Sequence, residues 1–272
     1  MYYLILPSER TQSWSGQHYL PWEQPEIALP GATCPACPVS VAGEGLGLVL
    51  ESLGGIVGSE SDLKVSVSAA VHDTAEHRKW PILDLLSLAS NVCLNLGLSK
   101  EFPLLPRSRI GPLGIKWRTA SLPDAVQVDY SPILVAREVA EKLEAECLSG
   151  LRFCPTNSVG RRTDKEMVEM VFAGFATHNV TDDEIVVLRS LQLGDDRPAR
   201  DQGRCPTCGL FPSRPVFEFG AQRLQTADDF FVMRDFGRRY VSARGREEIE
   251  HYLPDYFDFE ELVPFDPDQF EI

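Results

Sequence analysis

No apolar run in this chain is long enough to cross a bilayer, since Glu51 interrupts the longest Gly- and Leu-rich stretch. The first residues, Met1 to Pro7, carry neither a basic leader nor an apolar segment of secretory length. They read instead as a β-strand, and a cytoplasmic protein is expected. A disulfide framework is missing too: the seven cysteines are odd in number and irregularly spaced, which points to a reducing compartment. There is no G-x-G-x-x-G, because Gly43, Gly45 and Gly47 lack that spacing and read as a loop. There is no i, i+4 histidine pair either; His72 and His77 stand five apart and read as ordinary histidines. Cations are scarce, 26 Lys and Arg against 40 Asp and Glu, for a net charge of −14. That balance repels phosphate, which argues against DNA, RNA and anionic membranes as partners and suits a basic protein.

What is present starts with size. At 272 residues and 43% hydrophobic content the chain can bury a core without covalent staples. Four cysteines form two knuckles, Cys34-Pro-Ala-Cys37 and Cys205-Pro-Thr-Cys208-Gly209. Four thiolates at such spacing suit one tetrahedral structural Zn²⁺ that joins the beginning of the chain to its last third. In a knuckle of this form the turn aims backbone N–H groups at sulfur, and the following Gly accepts the left-handed conformation that closes it. The second knuckle fits fully. The first has Pro38 where Gly is expected, so it must close differently. A structural disulfide, free thiols and a redox-active Cys-x-x-Cys are the alternatives. The redox motif normally lies between a strand and a helix, whereas both knuckles are set among Pro and Gly. Four sulfurs leave no open coordination position, so this zinc would hold structure and not activate water. Cys93, Cys147 and Cys154 are expected as small buried hydrophobes.

Along the chain, residues 1 to 30 read as a strand and a Trp- and Pro-rich loop, and residues 81 to 98 as a packed helix. A longer helix is predicted from Ser131 as cap and Pro132 as first helical residue to a stop at Gly150, with Leu134, Val135, Val139, Leu143 and Cys147 on its apolar face. Leu151 to Cys154 follows as a strand. Val168 to Phe175 and Glu184 to Leu193 alternate as strands do, and a charged loop from Asp195 to Arg204 delivers the second knuckle. A looser echo comes later: strands at Phe230 to Val232 and Arg239 to Val241, Ser242 as a cap, a short helix to Leu253, and a strand around Phe259 to Phe265. The two stretches read as paired strand-helix-strand units whose residues match too weakly for a sequence repeat. The mixed order of elements gives an α+β class with a zinc-ribbon-like site. It forms a single domain over 1–272, or two packed lobes, about 1–125 and 126–272, joined by the four-cysteine zinc site.

The acid gathers at the end. No Lys or Arg follows Arg246, while Glu247, Glu248, Glu250, Asp255, Asp258, Glu260, Glu261, Asp266, Asp268 and Glu271 do, interleaved with Tyr252, Tyr256, Phe257, Phe259, Phe265 and Phe270. Glu247, Glu248, Glu250, Asp255, Tyr256, Asp258, Glu260 and Glu261 are the candidate partner-binding residues, with aromatics as anchors and carboxylates setting orientation. A solvated acidic edge with its aromatics turned into the core is the plainer reading of the same pattern.

Several segments in this order resemble the double-CxxCG paralogous family of myxobacteria, which includes immunity proteins of the Sit type: Leu29 to Cys37, Gly111 to Trp117, Ser131 to Val135, Leu151 to Pro155 and Cys205 to Gly209. The resemblance implies a cytoplasmic, non-enzymatic antidote to a toxin passed between kin cells, with metal ligands at Cys34, Cys37, Cys205 and Cys208. It does not supply toxin-contact residues. The acidic charge suggests a basic, nuclease-type toxin whose cleft the protein fills. A zinc-ribbon adaptor acting on another macromolecule is the alternative, and Asp195, Asp196 and Asp201 offset the Arg197, Arg200 and Arg204 it would use. A metalloenzyme or thiol oxidoreductase lacks a convincing His-containing set.

Overall fold

The structure is a computed structural model, and it describes residues 1–9, 11, 19–21, 32–33, 40–41, 80–81, 113–127, 132–178, 224–233 and 239–262. Both knuckles, Cys93, the Gly-rich 43–58, His72 and His77, most of the 81–98 helix and the strand at 184–193 lie outside the described residues. In chain order the elements are β1 (Tyr2–Pro7), β2 (Tyr19–Pro21), β3 (Ala32–Thr33), β4 (Ser40–Val41), β5 (Trp80–Pro81), β6 (Gly114–Trp117), β7 (Ala125–Gln127), β8 (Ile133–Ala136) and α1 (Arg137–Ala145). They continue with β9 (Leu151–Pro155), β10 (Asn157–Gly160), β11 (Met167–Phe172), β12 (Gly174–His178), β13 (Leu224–Gln225), β14 (Phe230–Met233), β15 (Arg239–Ser242), α2 (Ala243–Tyr252) and β16 (Phe257–Glu261). The class is α+β, and the described part is mostly sheet. No helix among the described residues is long and apolar enough to cross a membrane.

Two sheets carry the architecture, a six-stranded one in the order β13-β12-β14-β15-β1-β16 and a four-stranded one in the order β7-β8-β11-β9. Shorter sheets run β10-β6-β2 and β4-β3-β5. Strands from both sides of position 125 share sheets: β1 lies between β15 and β16, and β6 pairs with β10.

The two strand-helix-strand stretches are built alike. β8 and β9 both pair antiparallel with β11, and β15 and β16 both pair antiparallel with β1. The registers coincide. Val168 opposes Val135 and Pro155, while Tyr3 opposes Val241 and Glu261; Glu169 opposes Leu134 and Cys154, while Leu4 opposes Tyr240 and Glu260. An outer strand completes each layout, β7 beside β8 and β14 beside β15. From Ile133–Pro155 to Arg239–Glu261 the correspondence runs without insertion, yet only Val135/Val241, Glu141/Glu247, Glu144/Glu250 and Phe153/Phe259 are identical. What repeats is the pattern of burial: Val139 and Leu143 on α1, Gly245 and Ile249 on α2. Gly245 is small because a Cβ there would meet the Phe230 ring at 2.9 Å. Val139 and Ala125 hold the corresponding places, so helix and strand exchange bulk between the units.

The helix predicted from Ser131 starts later. Ile133 to Ala136 form a fully buried strand, and α1 begins at Arg137 with Ala136 at its N-cap and no side-chain cap. An Ile-Leu-Val-Ala run paired on both sides suits a central strand better than a helix with one apolar face. The helix ends before Cys147, at φ 53, and Gly150, at φ 74. That turn leaves Cys147 exposed, contrary to the expected burial, while Cys154 is buried. In the other unit Ser242 caps as expected, its Oγ accepting from the Gly245 N–H at 3.1 Å. The run read as one strand from Val168 breaks at Ala173, so that β11 stays in one sheet and β12 enters the other.

The units meet at a polar joint with an aromatic floor. The Ser149 carbonyl accepts from the N–H groups of Asp229 and Phe230, and the Gly150 carbonyl from those of Ala173 and Gly174. Phe172 and Phe230 meet edge to face at 5.3 Å between centroids. The Asp229 carboxylate accepts from Ser242 Oγ at 2.7 Å, Ser149 Oγ at 3.0 Å and Ser149 N–H at 3.1 Å, with Arg244 at 3.4 Å. Arg244 also donates to the Glu146 carbonyl at 2.6 Å, and the Tyr252 hydroxyl to Glu146 Oε1 at 2.8 Å. There is no spare room here: a Cβ on Gly174 would stand 2.1 Å from the Phe230 carbonyl oxygen.

Because that obstructing atom is backbone, Gly174→Ala is expected to cost about 2–3 kcal/mol of stability, measured by denaturant titration. The joint also has a pH signature. Burial alone would raise the Asp229 carboxyl, but the hydrogen bonds from Ser242 and Ser149 and the charge of Arg244 outweigh it and hold it below its ordinary value. A depressed carboxyl stabilises above its unfolded-state pKa, and that contribution disappears as pH falls through the folded-state pKa. Acid titration of stability is therefore expected to fall less steeply in Asp229→Asn than in the parent, from a lower neutral-pH starting point.

Candidate partner-binding edge

The second unit turns its polar side outward along α2 and β16. Glu247, Glu250, Asp255, Asp258, Glu260 and Glu261 are exposed, and Glu248 is half-buried. β16 is the last strand of its sheet among the described residues, paired only with β1. Period-two alternation sets Asp258 and Glu260 on one face, with Phe257, Phe259 and Glu261 on the other. The face with Phe259 is the one α2 covers, since the Arg246 guanidinium lies 4.6 Å from the Tyr3 ring centroid and 5.5 Å from that of Phe259. Arg246 Nε also donates to Glu250 at 2.9 Å, so Glu250 is the one neutralised acid of the set among the described residues. Glu247, Asp255, Asp258, Glu260 and Glu261 have no ion pair among the described residues.

The aromatics of this stretch are engaged internally. Tyr256, placed with the partner-binding residues from its position in the acidic run, is 5% exposed. Its hydroxyl accepts from the Asp124 N–H at 3.2 Å, and its carbonyl accepts from Thr11 Oγ1 at 2.6 Å and from the Ser8 N–H at 3.0 Å. The reason is the turn between α2 and β16. Asp255 takes φ 69 there, with its carbonyl held by Ser8 Oγ at 2.7 Å, which carries the next residue inward. Phe257 is buried as well. The Tyr252 phenol is held above its ordinary pKa, first by its hydrogen bond to Glu146 and then by burial and the Glu146 charge. Among the described residues the edge therefore offers carboxylates and a strand backbone paired on one side, with Tyr256 and Phe257 turned inward. That combination can orient a basic surface and resists pairing with a second copy of itself.

The four knuckle cysteines, Cys34, Cys37, Cys205 and Cys208, lie outside the described residues. Among the described residues no group of His, Cys, Asp and Glu is gathered as metal ligands would be. Sequence reading missed two polar features. Glu169, fully buried on β11 opposite Leu134 and Cys154, looks in sequence like any residue of an alternating strand. A cleft beside Trp117 is walled by the Arg161-Arg162 loop, and only the Gly160-Arg-Arg sequence hints at it.

No protein-family model matches the chain, and no curated protein or solved structure does either.

Tyr256→Phe removes the acceptor of the Asp124 N–H and is expected to cost about 1 kcal/mol of stability, read from the shift in denaturation midpoint. A phenol serving only the surface would leave the midpoint unmoved.

Proposed function

We propose that this chain is a cytoplasmic immunity protein that binds a basic protein toxin and covers its substrate surface, as the double-CxxCG resemblance implies. The observation that carries the reading is a group of exposed carboxylates with no ion pair among the described residues, Glu247 on α2, Asp255 in the turn, and Asp258, Glu260 and Glu261 on the two faces of the edge strand. A toxin that cleaves nucleic acid needs a basic cleft, and an acidic edge is steered to such a cleft and competes there with phosphate. No catalysis belongs to this role. A structural Zn²⁺ held by Cys34, Cys37, Cys205 and Cys208 would act upstream, by fixing the framework that presents the edge.

Co-expression with the toxin encoded beside this gene tests the reading, scored by cell survival and by recovery of the complex. Rescue and a stable complex are expected, and the double change Asp258→Lys with Glu260→Lys should weaken binding about tenfold or more while leaving the fold intact. Absence of both rescue and complex would remove the immunity reading for that pair and favour a zinc-ribbon adaptor.

A further inference from the structure

β6 and β10 run parallel in the register Asn157↔Gly114 to Gly160↔Trp117, so the chain leaves both strands at the same end. Arg118 and Arg161 follow directly, and the Arg161 N–H donates to the Trp117 carbonyl at 3.3 Å. Gly160 makes the approach possible: its φ is +93, and a Cβ there would stand 3.0 Å from that same carbonyl oxygen. The loop is tied back beyond the arginines, where the Asp164 N–H donates to the Ala120 carbonyl at 2.8 Å and its carboxylate accepts from the Leu122 N–H at 2.9 Å. Between this loop and Trp117 lies a cleft of about 350 Å³ whose wall includes Arg161, Arg162 and Lys165 as well as two acids, Asp164, bonded to the Leu122 N–H, and Glu166, paired with Arg137. That volume suits a small ligand.

Charge sets the cleft apart. Lys165 is held by Asp124 at 2.6 Å and Arg137 by Glu166 at 2.6 Å, so these two neighbouring cations are already matched. Arg161 and Arg162 have no ion pair or side-chain hydrogen bond among the described residues, and Lys116 and Arg118 have no ion pair there either. In a chain of net charge −14, these two adjacent guanidiniums, without an ion pair among the described residues, gather positive charge at one cleft. The N–H groups of Arg162 and Thr163 are likewise without an acceptor among the described residues.

We propose that this cleft binds a small phosphate-bearing ligand, a phosphate monoester or pyrophosphate, gripped by Arg161 and Arg162. Planar guanidinium forks match the oxygen pairs of phosphate, and two of them balance a dianion where one would suffice for a monocarboxylate. A polynucleotide is disfavoured by the net charge of −14, which opposes an extended phosphate backbone more than it opposes a single small anion. The inference is independent of the immunity reading, which places partner contact on α2 and β16.

The test is calorimetric titration of the full chain with pyrophosphate. Saturable one-site binding is expected, weakened about tenfold or more by Arg161→Ala and by Arg162→Ala singly and unchanged by Lys142→Ala, an exposed cation on α1. Both arginine variants should melt with the parent, since their side chains are exposed and make no bond among the described residues. Absence of saturation at millimolar pyrophosphate, or equal weakening by Lys142→Ala, would overturn the proposal. So would tighter, strongly salt-dependent binding of a single-stranded oligonucleotide through the same arginines.

Discussion

Each strand-helix-strand unit leaves a slot that a third strand must fill. β8 and β9 run parallel to each other, with one strand between them, and that slot takes β11; β15 and β16 leave the same slot for β1. Both walls of a slot present backbone donors and acceptors, and buried groups of that kind must be paired. The filler is therefore not optional, although the chain supplies it from opposite directions. β11 comes from downstream of its unit, and β1 from the first residues of the sequence. Helices, outer strands and the Asp229 joint are arranged around these two fillers.

How much of this was legible in the sequence depended on whether a pattern had one physical meaning. β1, β9, β14 and β15 were readable as short apolar runs between turn residues, and Ser242 as a cap before a helix with Ile249 on its inner face. The Ile133–Ala136 run had two meanings, because four consecutive apolar residues fit a buried strand as well as a helix. The slots themselves were not legible, since filler and walls are far apart in sequence and matching registers are encoded by different side chains. In the acidic stretch the carboxylates could only face water, but alternation left the aromatics free to point either way. Tyr256 and Phe257 went inward because the Asp255 turn aims them there. Arg161 and Arg162 were invisible for another reason: a cation's lack of a partner is a property of the folded surface.

The same layout explains why the second unit carries the candidate edge. Tyr256 and Phe257 are buried, and β16, paired only with β1 among the described residues, is flanked by carboxylates. Charge on an edge strand opposes pairing with a like edge and favours a cationic surface over an anionic one. With Tyr256 and Phe257 buried, charge complementarity at the described edge would contribute more to speed and choice of partner than to buried contact area.

The most direct measurement is hydrogen exchange across the chain, alone and with the candidate toxin bound. The account predicts that amides of β1 and β11 are the slowest in both states, while those of α2 and β16 slow on complex formation. Slowing confined to other segments, with α2 and β16 unchanged, would contradict it.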